Sequence, residues 1–415
     1  MKRHFYSTTG TPLFQNHFKT QKQELSDKDM KSLKSEYLYP AIHWWQFPLD
    51  RFSIELDSKY KKTLFERIYE ERRKSNRFSK FLNEKSKIYG KNWTFKKQRF
   101  LLYEYKKHQK FVPAWVIFCT ATYLGVELLE IEKKIESYIS FRGRLVVSEP
   151  KLPVRVTPEF TAIAIHTMCD GCNHLGSITY FQRDKKEQLR FSKLAANVFG
   201  TYRVKDNKYS EILPKVFGEV ISSYYKITDY STFGARIPDK IKNSPFQHRL
   251  AALVAFILDE GTVSLGITLH SSNKLLLLDI CEIAKSLGYL CRKIQQRKMQ
   301  KTLNPFFRFR ISPKSIGKLY TDLMMLYERF PNLNFNKKMH RIQKIWNTQT
   351  RNWKQRRKGE TRQLIINELK KSKKTTFELS ESTGICLKTV YHHLKRISNL
   401  SKIREGTQIY YEVLD

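Results

Sequence analysis

The chain has 415 residues, with 77 Lys and Arg against 39 Asp and Glu, a formal charge of +38. That excess goes beyond what solubility asks for and creates a field suited to a polyanion, nucleic acid first among them. An apolar content of 40% and an aromatic content of 13% exclude a merely disordered basic tail, and the length accommodates about two to four domains.

Residues 1–55 form a polar, basic segment without periodicity, expected to be poorly ordered until the aromatic knot AIHWWQFPLDRF (41–52). Residues 56–150 read as a helical domain. YKKTLFERIYEERRK has apolar residues at helical spacing, and in PAWVIFCTATYLGVELLEIEKKIESYI the residues Ala121, Gly125 and Ile131 have the small–glycine–aliphatic spacing of a helix-turn-helix. The longest uncharged stretch here, 112–126, contains Pro113 and falls short of the ~20 helical residues that span a bilayer. The N-terminus lacks the apolar core of a signal peptide. The six cysteines, Cys119, Cys169, Cys172, Cys281, Cys291 and Cys386, are scattered rather than spaced as a disulfide framework. These features predict a soluble, intracellular (cytoplasmic) protein with no membrane partner.

The middle of the chain repeats itself. TPEFTAIAIHTMCDG (157–171) is an apolar helix ending on an acid and a glycine, and RLAALVAFILDEG (249–261) is another, roughly ninety residues on. Each is followed by a strand (SITYFQR; TVSLGITLH), a helix ending at Gly200 or Gly288, further strand sequence, and a closing helix after proline. The predicted order is helix, strand, strand, helix, strand, strand, helix, once over 151–248 and once over 249–348. The strands alternate. Thr262, Ser264, Gly266 and Thr268 face away from Val263, Leu265, Ile267 and Leu269; Arg308, Arg310 and Ser312 face away from Phe307, Phe309 and Ile311; Arg203 and Lys205 face away from Tyr202 and Val204. A sheet face of Arg, Lys, Gln, Ser and Thr suits phosphate and base-edge contacts in a major groove.

Residues 349–360 are a basic linker, within TRNWKQRRKGETR (350–362). Residues 361–415 resemble a winged-helix DNA-binding domain. TRQLIINELKKSK is an amphipathic helix, Thr375 and Glu378 have capping-box spacing, and Ser380, Gly384 and Val390 repeat the helix-turn-helix spacing. SKIREGTQIYYEVLD alternates like a two-stranded wing turning at Glu405–Gly406. Its recognition helix, 387–397, would present Lys388, Thr389, Tyr391, His392 and Lys395.

With IAIHTMCDG (163–171) and LVAFILDEG (253–261) set in repeated strand–helix context, the chain resembles a double-motif LAGLIDADG homing endonuclease over about 155–348. The resemblance implies an α+β fold: a pseudo-two-fold core of two αββαββα repeats with antiparallel saddle sheets, here flanked by helix-turn-helix-type domains. It implies that the two motif helices pack together, close approach being allowed by Ala164, Ala252 and Ala255. It also implies that the penultimate acids, Asp170 and Glu260, are catalytic and hold Mg²⁺ or another divalent cation. Paired carboxylates suit such a hard ion. The partner implied is double-stranded DNA, bound by a monomer with two half-sites. Its contacts would come from Arg183, Arg203, Lys205, Thr262, Ser264, Thr268, Arg292, Gln296, Lys298, Arg308 and Arg310, with Lys205, Gln296, Lys298 and Arg310 as candidates for the basic or amide groups near the metal. The departures are Ile165, His166 and Cys169 inside the first motif, Glu260 in place of Asp, and the extra acid Asp259.

Two other functions fit the same residues. One is a transcriptional regulator on an inactive core, which has no need of both acids; the other is a splicing factor that binds structured RNA. A zinc reading of His166, Cys169, Cys172 and His174 rests on Cys-x2-Cys spacing, but no second ligand pair lies nearby.

Overall fold

The computed structural model describes residues 39–414, apart from 92, 108–109, 142, 175, 204–208, 265, 298–304, 335–336, 350–358 and 407. Most of the N-terminal segment, most of the basic linker, and Lys205 and Lys298 lie outside the described residues. Among the described residues no helix is long and apolar enough to cross a membrane.

The protein is a mixed α+β fold with antiparallel sheets. It opens with β1 (Ala41–Ile42), the 3-10 turn Trp44–Gln46 and β2 (Phe52–Leu56). Helices α1 (Ser58–Lys74), α2 (Arg77–Ile88) and α3 (Phe95–Lys107) follow. The Asp57 carboxylate accepts the Tyr60 backbone N–H at 2.8 Å and starts α1. Next come β3 (Val112–Pro113), α4 (Ala114–Leu124), α5 (Leu128–Glu132), β4 (Ile135–Ser140), β5 (Val146–Pro150) and β6 (Val154–Arg155).

Around the aromatic knot Trp44, Phe47 and Phe52 are buried, and β2 sits inside a sheet. Beyond it this region departs from the helical expectation in two ways. IESYIS is a strand rather than helix: it pairs with β2, and Ile135 and Tyr138 are buried. Gly125 does make the expected turn, at φ 66°, but α5 has only 5 residues and α4 is buried along Trp115, Val116, Ile117 and Ala121.

The centre passes twice through the same order. The first pass is α6 (Pro158–Cys169), β7 (Gly171–His174), β8 (Ser177–Phe181), α7 (Lys185–Phe199), β9 (Gly200–Tyr202), β10 (Ser210–Ile212) and α8 (Lys215–Tyr225). A short α9 (Asp239–Lys242) leads to the second: α10 (Phe246–Glu260), β11 (Gly261–Val263), β12 (Ile267–Ser271), α11 (Lys274–Ser286), β13 (Gln295–Arg297), β14 (Phe306–Ile311) and α12 (Ile316–Arg329). Helices α6 and α10 pack on each other along their length. Ala164, Ala251, Ala252 and Ala255 are fully buried, the small side chains letting the backbones approach. At one end of this contact the Thr161 hydroxyl meets both Tyr225 Oη and His248 Nδ1 at 2.8 Å.

The second pass closes a four-stranded sheet in the order β11-β12-β14-β13, whereas among the described residues the first gives a three-stranded sheet, β10-β8-β7. Strand β9 leaves that sheet and pairs with β5, completing a five-stranded sheet β3-β2-β4-β5-β9. The cause is local. Gly200 has φ 111°, and a Cβ there would fall 2.7 Å from both Glu149 O and Pro150 Cα. Only glycine admits β5 this closely. Tyr202 accordingly packs against Phe217 rather than in the sheet β10-β8-β7, and positions 204 and 205 of the expected alternation lie outside the described residues.

The chain ends with α13 (Lys337–Gln349), α14 (Glu360–Lys371), β15 (Lys374–Thr375), α15 (Thr376–Thr383), α16 (Leu387–Leu394), β16 (Leu400–Glu405) and β17 (Gln408–Val413). Ile365, Leu369, Leu379, Val390 and Leu394 form its core. Thr375 and Glu378 make a reciprocal capping box, and Gly384 and Gly406 take positive φ at the two turns.

Candidate active site and nucleic-acid face

Asp170 is the C-cap of α6, and Glu260 is the last residue of α10. The two central helices bring these acids together where their strands begin. Neither following glycine is there for a left-handed turn; Gly261 has φ −97°. Both are required by crowding. A Cβ at 171 would lie 2.8 Å from Thr167 Cα, and one at 261 would lie 2.4 Å from Ile257 O. The chain folds back against its own last helical turn and leaves the preceding acid at the corner.

Electrostatically the corner is strained. Burial first, and the Asp259 charge second, raise Asp170 to about 7, against the pull of Lys338 and of the Gln182 amide that donates to its Oδ2. Burial first, then Asp170 and Asp259, raise Glu260 to about 8. Burial also pushes the adjacent Cys169 thiol well up.

Asp259, the extra acid, has a different place. Its side chain is 1% exposed. Its Oδ2 meets His166 Nδ1 at 2.8 Å, and its Oδ1 accepts from Tyr180 Oη at 2.7 Å. The bridge ties α10 to α6 and β8, and both carboxylate oxygens are occupied. His166, polar within an apolar motif, is there for Asp259. A zinc site using His166 would have to take that nitrogen away or use the other one. Cys172 is exposed.

Sequence reasoning missed Lys338. It reaches in from α13, and its ammonium donates to Ile257 O at 2.8 Å, to Gly261 O at 2.9 Å and to Leu258 O. These are the open carbonyls at the end of α10, where a cation also complements the helix dipole. Burial lowers its pKa, opposed by Asp259, Glu187 and Asp170. No spacing in the sequence links position 338 to position 260.

Among the described residues no three His, Cys, Asp or Glu side chains group to hold a metal ion. The donors at the corner are the two carboxylates of Asp170 and Glu260. Oxygen donors raised by burial and by neighbouring negative charge fit a divalent cation of the magnesium type, which takes one or two carboxylates and completes its shell with phosphate and water.

The sheet of the second pass carries the basic face. Register places Thr262, Thr268 and Arg310 in one row and His270, Arg308 and Gln295 in the next. Arg308 donates to Gln295 Oε1 at 3.3 Å. Thr268, Arg292, Lys293, Gln295, Arg308 and Arg310 line one recess. Gln296 pairs instead with Phe307, whose side chain is buried, so Gln295 replaces it on this face. Ser264 and Thr262 are exposed at the near end. The first pass offers less. Cys172, Thr179 and Ile212 share a row, Arg183 is exposed beyond β8, and Arg203 is exposed beyond the diverted β9. In the C-terminal module Lys388, His392 and Lys395 are exposed, and Thr389 and Tyr391 are half-buried.

No family model and no curated protein matches the chain. Among solved structures it is similar to a variant of I-DmoI in complex with its target DNA in the presence of magnesium, at 13% identity over 38% of this chain and 91% of that one, TM-score 0.29. It is also similar to I-DmoI with DNA and calcium (13% identity, 39% and 90% covered, TM-score 0.30). A third similar structure is full-length DUF199/WhiA from Thermatoga maritima (11% identity, 58% and 89% covered, TM-score 0.29).

Proposed function

We propose that the protein is a site-specific, double-strand DNA endonuclease of the LAGLIDADG type, acting as a monomer through two unequal half-sites. The observation that carries this reading is the convergence of Asp170 and Glu260 at the ends of two paired helices, beside a sheet whose outward rows are Thr, Gln and Arg. A bound divalent cation would supply Lewis-acid stabilisation of the scissile phosphate and a water of lowered pKa. This chain's own residues would hold that ion through Asp170 and Glu260, with Lys338 fixing the end of α10. Arg308, Arg310, Thr268 and Gln295 would orient the duplex. The winged-helix module would lengthen the footprint through Lys388, His392 and Lys395.

The test is to incubate the protein with a random duplex library and Mg²⁺ and to map ends. Asp170→Asn should abolish cleavage while leaving duplex affinity within about threefold. A variant that cuts like its parent would remove Asp170 from the site.

One observation favours a regulator as the second reading. Among the described residues the first-pass strands carry no Arg or Lys, and burial raises Asp170 to about 7 and Glu260 to about 8, so that without metal the pair does not carry its full charge at neutrality. Duplex binding at an operator with no scission in Mg²⁺ or Mn²⁺ would select it.

A further inference from the structure

Helix α3 has two apolar faces. Gln98, Leu102 and Tyr105 are buried, Tyr105 packing on Phe65 of α1 with ring centroids 6.1 Å apart. On the opposite side Lys96, Phe100, Tyr103 and Lys107 recur at helical spacing and form a ridge. Phe100 is 62% exposed and Tyr103 40% exposed. Lys107 lies over the Tyr103 ring at 5.0 Å, and Lys97 and Arg99 flank the ridge, both exposed.

The surroundings select the partner. From 58 to 110 the sequence holds 18 Lys and Arg against 5 Asp and Glu. Repulsion of that size opposes a second copy of this face and favours a polyanion. A duplex hides the flat faces of its bases and gives a ridge of two rings nothing to stack on. Unpaired bases expose those faces, and every base has one. Two rings with a cation at each end of the stripe suit a backbone running beside stacked bases.

We propose that α3 is a binding surface for single-stranded nucleic acid, with Phe100 and Tyr103 as stacking platforms and Lys96, Arg99 and Lys107 as phosphate contacts. This site is separate from the Asp170–Glu260 corner and does not depend on cleavage.

The experiment uses the full chain and fluorescence anisotropy. The probes are labelled oligomers of about 15 nucleotides, as DNA and as RNA of one sequence, and the corresponding DNA duplex. The double substitution Phe100→Ala/Tyr103→Ala should weaken single-strand binding about tenfold or more and leave duplex binding within about twofold. Both side chains are exposed, so circular dichroism should be unchanged. Phe100→Trp should keep the affinity, and its added indole emission should be quenched by the oligomer. The DNA and RNA arms identify which strand is held better. Undiminished single-strand binding by the double variant, equal loss on duplex and single strand, or no single-strand binding by the parent would each overturn the proposal. So would sedimentation showing a dimer that Phe100→Ala dissolves.

Discussion

His166 Nδ1 and Asp259 Oδ2 meet at 2.8 Å across the two central helices, with side chains 4% and 1% exposed. The partners come from the two halves of the repeat, so the bond fixes how one motif helix is set against the other. Tyr180 Oη holds the second oxygen of the same carboxylate. Asp259 thereby acts on the corner without belonging to its donor set: it is locked in place, and its charge raises both Asp170 and Glu260.

The first prediction concerns that lock. Asp259→Ala strips an acceptor from two buried donors and should cost roughly 3–5 kcal/mol in urea denaturation. Tyr180→Phe should cost about 1–3 kcal/mol. His166→Ala combined with Asp259→Ala should cost less than the sum of the single losses, with a coupling of about 1–3 kcal/mol. Strict additivity would mean that the two side chains do not interact.

The second concerns pH. Asp170 rises from 3.8 to about 7 on folding. A raised acid contributes stability that is full below the unfolded pKa and is lost as pH climbs through the folded one. Without divalent cation, Asp170→Asn should therefore be more stable than the parent by about 1–3 kcal/mol near pH 8.5, allowing for its partial exposure, and no more stable near pH 4. Adding Mg²⁺ should stabilise the parent and not the variant. Equal urea midpoints at the higher pH would show that Asp170 carries no penalty there.

The third prediction runs the opposite way in pH. Burial lowers His248 from 6.5 to about 4, where it meets the Thr161 hydroxyl at 2.8 Å. A depressed histidine contributes stability above its unfolded pKa that is lost as pH falls toward the folded one. Between about pH 6.5 and 4.5 the parent should lose about 2–3 kcal/mol that His248→Gln does not. Parallel stability curves for the two proteins would refute the assignment.

The fourth concerns Lys338. Lys338→Met leaves the carbonyls of Ile257, Leu258 and Gly261 without their cation and removes a positive charge that opposes the corner's acids. Stability should fall by roughly 2–4 kcal/mol. If cleavage occurs, its requirement for divalent cation should shift to lower concentration, because a positive charge beside the two carboxylates is gone. Lys338→Arg should restore part of both. A variant with unchanged melting and unchanged metal dependence would leave Lys338 without a role.

Legibility in the sequence followed locality. Asp170 and Glu260 could be found because each ends an apolar run and precedes glycine, and because the pattern comes twice. The basic face of the second pass could be read from alternation alone, apart from register: Gln295 and Gln296 are neighbours, and only pairing to Arg308 or Phe307 separates them. Lys338 and the His166–Asp259 bond join positions 77 to 93 residues apart, and no period reports such a contact. The diversion of β9 was hidden for a related reason. Its Gly200 looks like a helix terminator, and what it serves is the approach of β5 from the preceding region. Strand β4 looks helical in the sequence because Ile135–Ser140 continues a helical-looking charge pattern, and burial in a sheet overrides it.

The last prediction joins the turn of the second-pass sheet to recognition. A Cβ built on Gly266 would lie 2.4 Å from one terminal nitrogen of Arg310, 2.7 Å from its Nε and 2.9 Å from its Cζ. What it meets is the end of a flexible side chain, not backbone, so Gly266→Ala should displace the guanidinium and leave the fold intact, within about 0.5 kcal/mol of the parent. Arg310 shares its row with Thr262 and Thr268 on the face assigned to the duplex. Moving its fork should cost about 1–3 kcal/mol of duplex affinity and relax preference at one base position, as Arg310→Ala should. The combined Gly266→Ala/Arg310→Ala protein should bind no worse than Arg310→Ala alone, because the glycine acts only through the arginine. A further loss in the double variant would show that the alanine disturbs the strand itself.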